Sequence, residues 1–314
     1  MIYEPPIVEL RNLVRTFDTT RAVDNISFTI GRGQVFGYIG PNGAGKTTSM
    51  RILATLDLPT AGDAWIDGFS VVDDPDRVRR RLGFMPDYFG TYPNMSVSDY
   101  LDFFARSYGL RGTARLSAVG RVMEFTQLAP LALKPITGLS KGMKQRLCLG
   151  RTLIHDPAVL ILDEPAAGLD PRARIELREM IRQLAAQGKT ILISSHILSE
   201  LAEMCDLIGI IEHGRMLAVG GVSEIHALYR VQNEVRVRVL GGAEALFQWL
   251  LARGITSLVQ PDSAELLFSY DGTPETEADL LRDMIGVGFR ITAYGSVRKS
   301  LEDVFLHVTK GVAT

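Results

Sequence analysis

The residues Gly40-Pro41-Asn42-Gly43-Ala44-Gly45-Lys46-Thr47-Thr48 satisfy the pattern G-x-x-x-x-G-K-[ST], the most chemically specific stretch of the chain. Small residues at Gly43, Ala44 and Gly45 let successive backbone N–H groups turn inward around a polyphosphate. A helix starting at the lysine points its positive end at the same place. In this arrangement Lys46 reaches the β and γ phosphates, Thr47 offers its hydroxyl to Mg²⁺, and Asn42 and Thr48 complete the cradle. A plain glycine turn capping a helix would account for the glycines but not for the Lys-Thr pair. The apolar run Val35, Phe36, Tyr38, Ile39 ahead of the loop supplies the strand that the motif requires.

A second constellation is the acidic pair Asp163-Glu164, directly after the apolar run Val159-Leu160-Ile161-Leu162. Open α/β sheets place ligands at the carboxyl ends of their strands. Beside a phosphate loop the two carboxylates divide the work: Asp163 holds the Mg²⁺ shell, and Glu164 orients and deprotonates an attacking water. Alone, such a pair would be no more than a solvated turn.

Apolar periodicity indicates the elements that position these groups. Ile7 to Leu13, Ala22 to Ile30, Gly33 to Ile39 and the short segment Ala64 to Gly68 read as strands. From Ser96 the period becomes helical, with Val97, Tyr100, Leu101, Phe104 and Tyr108 on one face and Ser96 with Asp99 forming a capping box; a second helix covers Leu116 to Gln127. Val159 to Leu162 and Thr190 to Ser194 have the continuous apolar character of central parallel strands. Between them, Asp170-Pro171 opens a helix that Gly188 closes.

Composition narrows the function classes. The 314 residues suit one large domain plus a small one; 46% hydrophobic and 22% charged residues are ordinary for a globular chain. A formal net charge of -2 argues against a nucleic-acid coat, so no nucleic-acid partner is expected. No apolar stretch is long enough to cross a bilayer and Met1 to Leu10 has no signal-peptide pattern, which predicts a cytoplasmic chain. Cys148 and Cys205 are too few and too isolated for a disulfide framework or a metal site, and read as packing residues. The run Arg77, Arg79, Arg80, Arg81 follows Asp73, Asp74 and Asp76 and reads as a locally neutralised, solvated face.

Taken in order, these motifs closely resemble the nucleotide-binding subunit of an ATP-binding cassette (ABC) transporter, over residues 7 to about 222. Phe17 matches the family's adenine-stacking aromatic, where Tyr is more usual. Leu139-Ser-Lys-Gly-Met-Lys-Gln-Arg146 resembles the signature LSGGQ and its basic-Gln-Arg extension. Val159 to Pro165 matches the Walker B segment, Gly168-Leu-Asp170 the D-loop, and Ser195-His196 the switch histidine. Gly83 to Asp87 corresponds to the Q-loop, which senses the membrane partner and carries Gln where this chain has Asp87.

The resemblance implies ATP and Mg²⁺ as cofactors, with Thr47, Asp163 and Asp87 around the metal. It implies that His196 contacts the γ phosphate and holds the water of Glu164, and that Ser140 and Gly142 serve the nucleotide of an opposite subunit. Three departures bear on detail: Lys141 and Met143 replace a Gly and the Gln of the signature, and Asp87 adds a negative charge near Mg²⁺.

The expected fold is an α/β P-loop NTPase cassette over residues 1–222, with a RecA-like parallel core, an antiparallel β-subdomain and a helical subdomain at about 88–138. Beyond Val222 the order β-α-β-β-α-β predicts a small ferredoxin-like α+β domain over 223–314, ending in a helix capped by Ser300. The resulting functional expectation is an ATPase subunit that pairs with a second copy or a related subunit. It would sit on the inner face of the cell membrane and power a separate permease, an exporter of drugs, lipids or polysaccharide. A soluble cassette ATPase acting on ribosomes or DNA is the alternative, but such proteins carry a second cassette or a long coiled coil. A regulatory module that holds ATP without turnover is opposed by Lys46, Glu164 and His196.

Overall fold

The computed structural model describes residues 4–88, 90, 92, 94–197, 201, 204–221, 224–225, 234–255, 258–259, 265–270 and 272–297. The chain divides into two compact units, Met1–Ile225 and His226–Thr314.

In the first unit, β1 (Val8–Phe17), β2 (Thr20–Ile30), β4 (Ala61–Ile66) and β5 (Phe69–Ser70) form an antiparallel sheet in the order β2-β1-β4-β5. A second sheet is built from β3 (Val35–Ile39), β6 (Leu82–Met85), β7 (Val159–Leu162), β8 (Thr190–Ser195), β9 (Leu207–Glu212) and β10 (Arg215–Gly220). Its order is β10-β9-β3-β8-β7-β6, parallel throughout except for the edge strand β10. Every residue of β3, β7 and β8 is buried, which explains why these strands do not alternate apolar with exposed polar residues.

Helix α1 (Lys46–Leu53) leaves β3 through the glycine loop and sends Met50, Ile52 and Leu53 into the core shared by the two sheets. There Phe28 of β2 stacks on Phe36 of β3 with ring centroids 4.8 Å apart, which fixes the strand that feeds the loop. Helix α2 (Pro75–Arg81) abuts β6 directly, with Leu82 serving both as its C-cap and as the first strand residue. Strands β5, β6, β9 and β10 go beyond those the periodicity indicates. The Arg run lies on α2, where Arg79 pairs with Asp76 and Arg81 with Asp67.

Helices α3 (Val97–Ser107), α4 (Gly112–Phe125) and α5 (Lys141–Leu153) enclose an apolar cluster that includes Tyr100, Leu101, Val119 and Val122. The Ser96–Asp99 capping box starts α3 as expected. The cluster is completed by Leu139, Leu147 and Ile154, so the helical packing runs past residue 138. Helix α6 (Pro171–Ala186) starts at Asp170, whose carboxylate accepts the Ala173 N–H at 2.9 Å, and gives way to β8 after Gly188 at φ 82.

The second unit contains β11 (Glu234–Val239), α7 (Ala243–Ala252), β12 (Leu258–Val259), β13 (Glu265–Ser269), α8 (Pro274–Gly286) and β14 (Ile291–Val297). Its strands pair antiparallel in the order β12-β13-β11-β14. Val235, Val237 and Val239 are buried against Leu246, Leu250, Leu280 and Met284. On the opposite face Arg236 and Arg238 both reach Glu265, so the alternation seen in the sequence is a sheet with one covered side. The expected helix from Ser300 onward, with Leu301, Val304, Phe305 and Val308, lies outside the described residues.

Candidate nucleotide site

The carboxyl ends of four neighbouring strands converge on one place. β3 runs into the glycine loop, β8 into His196, β7 into Asp163-Glu164, and β6 toward Asp87. The loop's shape depends on glycine. Gly45, the N-cap of α1, has φ 105, and a Cβ there would collide with the Ala22 carbonyl; a Cβ on Gly40 would collide with the carbonyl of Ile211. The resulting open cavity of about 180 Å³ is lined by residues 41–48 together with Ala22, Asp87 and Glu164.

Lys46 is only 5% exposed. Its ammonium donates to the Gly40 carbonyl at 2.6 Å and the Pro41 carbonyl at 3.3 Å, and stands 3.4 Å from Glu164 Oε1. Glu164 adopts φ 46, a left-handed conformation uncommon outside glycine, at the point where β7 ends. That turn brings its second carboxylate oxygen to 2.8 Å from His196 Nδ1. A carboxylate can only accept, so Nδ1 donates to Glu164 and Nε2 faces outward. His196 is about half exposed, and this face of the triad is open to the surroundings.

Asp163 is completely buried. Its Oδ1 accepts from the Ser194 hydroxyl at 2.6 Å. Burial pushes its carboxyl above the ordinary range, the Ser194 and Thr47 hydroxyls pull the other way, and the charges of Asp87 and Glu164 add to the rise. Asp163 Oδ2 is buried and has no hydrogen-bond partner. An orphaned hard oxygen next to a threonine hydroxyl fits Mg²⁺. Mg²⁺-using sites hold the ion by one or two protein oxygens, with phosphates and waters filling the rest.

Ser194 was missed by sequence reasoning. Besides holding Asp163, its hydroxyl oxygen accepts the Glu164 N–H at 2.8 Å, so one serine fixes both members of the acidic pair. Replacing Ser194 with alanine leaves a buried N–H and a buried carboxylate oxygen without their partner. Thermal denaturation should show a loss of about 1–3 kcal/mol, with ATP turnover falling alongside it. A variant as stable and active as the parent would show that the bridge does nothing.

Other predicted residues lie elsewhere. Ser140 caps α5, its hydroxyl oxygen accepting the Met143 N–H at 3.3 Å, and neither it nor Gly142 lines the Lys46 cavity. The start of α5 packs instead on its own D-loop and on α6: Gly142 lies against Ala173, Lys141 lies over Gly168, and Arg146 reaches Glu176 at 3.7 Å. Asp170 serves there as the cap of α6. Phe17 stands at the end of β1 opposite Thr20, with 42% of its surface exposed.

The sequence profile described as ABC transporter matches residues 23–167. The Nod factor export ATP-binding protein I of Ralstonia nicotianae is 36% identical over 308 residues, spanning 97% of this chain and 94% of that protein. This chain belongs to the ABC transporter ATP-binding family. A probable multidrug ABC transporter ATP-binding protein of Escherichia coli K12, YbhF, is 36% identical over 221 residues, which cover 70% of this chain and 38% of that longer protein. Among solved structures, an ATP-binding subunit of an ABC transporter superposes with a TM-score of 0.65 at 27% identity, covering 78% of this chain and 99% of that one.

As an ABC-type ATPase, the protein binds and hydrolyses ATP, and its fold is that of the family's cassettes. The family's parallel core explains why the loop, the acidic pair and the histidine, far apart in sequence, meet at the carboxyl end of one sheet.

Proposed function

We propose that two copies of this subunit, or this subunit and a related one, pair head to tail around ATP and drive a separate transmembrane permease. The observation that carries the reading is the position of the signature. Ser140 and Gly142 open α5 with an exposed capping serine and a helix N-terminus suited to an anion, yet they do not line the cavity of their own Lys46. A second chain turned end for end would bring its γ phosphate to that surface.

Within each composite site, Lys46 holds the β and γ phosphates, and the backbone N–H groups of residues 42–48 surround them. Glu164 takes the proton from the attacking water, while His196, its ring fixed by the Glu164 carboxylate at 2.8 Å, turns Nε2 toward the γ phosphate. Thr47 and Asp163 hold Mg²⁺, and Asp87 faces the same cavity with a charge that acts on Asp163. When bound, Mg²⁺ neutralises charge on the phosphate oxygens. Phe17 stacks on the adenine, and Asp170 keeps the D-loop in place at the head of α6.

The permease docks, on this reading, in a cavity of about 300 Å³ where Phe84 on β6 meets Phe104 on α3 and Tyr108, the C-cap of that helix, flanked by Arg79 and Arg151. β6 continues to Asp87, so an occupant there would act on the strand that leads to the nucleotide. The reading places the subunit on the inner membrane face through the permease; no described helix is long and apolar enough to cross a membrane. The names of the Ralstonia and Escherichia relatives, which speak of export and of multidrug transport, favour an exporter.

Ser140→Arg tests the pairing. The bulky cation obstructs the signature surface but not the Lys46 cavity, so ATP binding should persist while turnover falls by about two orders of magnitude or more. Mixed with Lys46→Ala chains, it should form heterodimers with both lesions in one composite site and none in the other, and part of the activity should return. Full turnover by Ser140→Arg alone would refute the assigned role.

A further inference from the structure

We propose that Arg15 is a positioning residue for nucleotide binding: its guanidinium, anchored by Asp57, backs one face of the Phe17 ring and holds the other face ready for a base. The inference rests on the reading that Phe17 stacks on adenine, and goes beyond it by explaining how a half-exposed phenylalanine at a strand end is kept in place.

Residues 15 and 17 fall on the same side of β1 because side chains alternate along a strand. The Arg15 guanidinium carbon lies 4.2 Å from the centroid of the Phe17 ring. One of its terminal nitrogens is 2.8 Å from Asp57 Oδ1, with the two side chains 23% and 17% exposed. Asp57 is itself fixed, since Oδ1 also accepts the Leu58 N–H at 2.9 Å. The loop that carries it is sewn to β1 by Thr60 N–H to the Val14 carbonyl at 2.7 Å and by Thr16 N–H to the Thr60 hydroxyl at 3.0 Å.

This loop follows α1, the helix that begins at Lys46, so the phosphate loop and the ring are connected through α1, Asp57 and Arg15. The hairpin that bears the ring also reaches the phosphate site. Phe17 pairs with Thr20, and two residues further on Ala22 lines the Lys46 cavity, its carbonyl against Gly45.

The physical consequence is twofold. A cation over one face draws the ring's electron density toward it and fixes the ring's orientation. The guanidinium also occupies the face that the ring would otherwise lay against the strand, so less side-chain freedom remains to be lost when a base arrives. Phenylalanine has no hydroxyl to fix its direction by hydrogen bonding, so that restraint has to come from a neighbour.

The test is a pair of titrations of the full chain, one with Mg-ATP and one with magnesium tripolyphosphate, which has the phosphates but no base. Phe17→Ala should weaken ATP about ten- to a hundredfold and leave tripolyphosphate unchanged. Arg15→Ala should weaken ATP about three- to tenfold, again without touching tripolyphosphate, and the isosteric Asp57→Asn should move in the same direction. The double variant Arg15→Ala/Phe17→Ala should bind ATP no more weakly than Phe17→Ala alone, because without the ring the arginine has nothing to position. Parent-like ATP affinity in Arg15→Ala and Asp57→Asn, an additive double variant, or equal losses on both ligands would overturn the proposal. Parent-like ATP affinity in Phe17→Ala would instead remove the stacking role beneath it.

Discussion

Lys46→Ala is expected to abolish ATP hydrolysis and to weaken ATP binding by about two to three orders of magnitude. The ammonium is nearly buried and sits within 3.4 Å of Glu164 Oε1, in a cavity that also faces Asp87 and lies beside the buried Asp163. Removing it leaves Asp87 and Glu164 facing a polyanion, with no second cation among the described residues that line the cavity to offset the repulsion. The carbonyls of Gly40 and Pro41 lose their donor at the same time, so the loop itself loosens. Calorimetric titration and a phosphate-release assay measure both effects, and parent-level turnover would contradict the assignment of the site.

Glu164→Gln carries the second large effect. The amide has the volume of the carboxylate and can still face His196, but it cannot take a proton from water at neutral pH. Turnover should fall by about two to four orders of magnitude, while ATP affinity stays near the parent value because Lys46 and the loop are intact. A variant that kept most of its turnover would transfer the base role to another group.

The most readable parts of the sequence were those where backbone geometry demands particular residues. Gly45 at φ 105 and Gly40 pressed against Ile211 cannot be replaced without collision, so the loop is visible as a string of letters. The buried strands β7 and β8 were visible because both faces are covered. β6 was not, since four residues starting on a helix cap offer neither length nor a turn signal. β9 and β10 did offer one: the turn His213-Gly214, with φ 47 and 77, separates two runs that pair as a hairpin. Ser194 could not be read at all. Its importance follows from β7 and β8 being neighbours, which sets its hydroxyl beside a carboxylate 31 residues away. Arg15 and Phe17 share a strand face by simple alternation, but nothing in the sequence pointed to Asp57 behind them.

The signature remains the feature on which the functional account turns, because a hydrolysing site that needs a second chain makes ATP the link between subunits. The most direct measurement is the mass in solution of the Glu164→Gln chain, by light scattering, with and without saturating Mg-ATP. The account predicts a monomer without nucleotide and a dimer with it, and predicts that adding Ser140→Arg to the same chain returns it to a monomer that still binds ATP. A Glu164→Gln protein that binds Mg-ATP to saturation and stays monomeric would contradict the shared site.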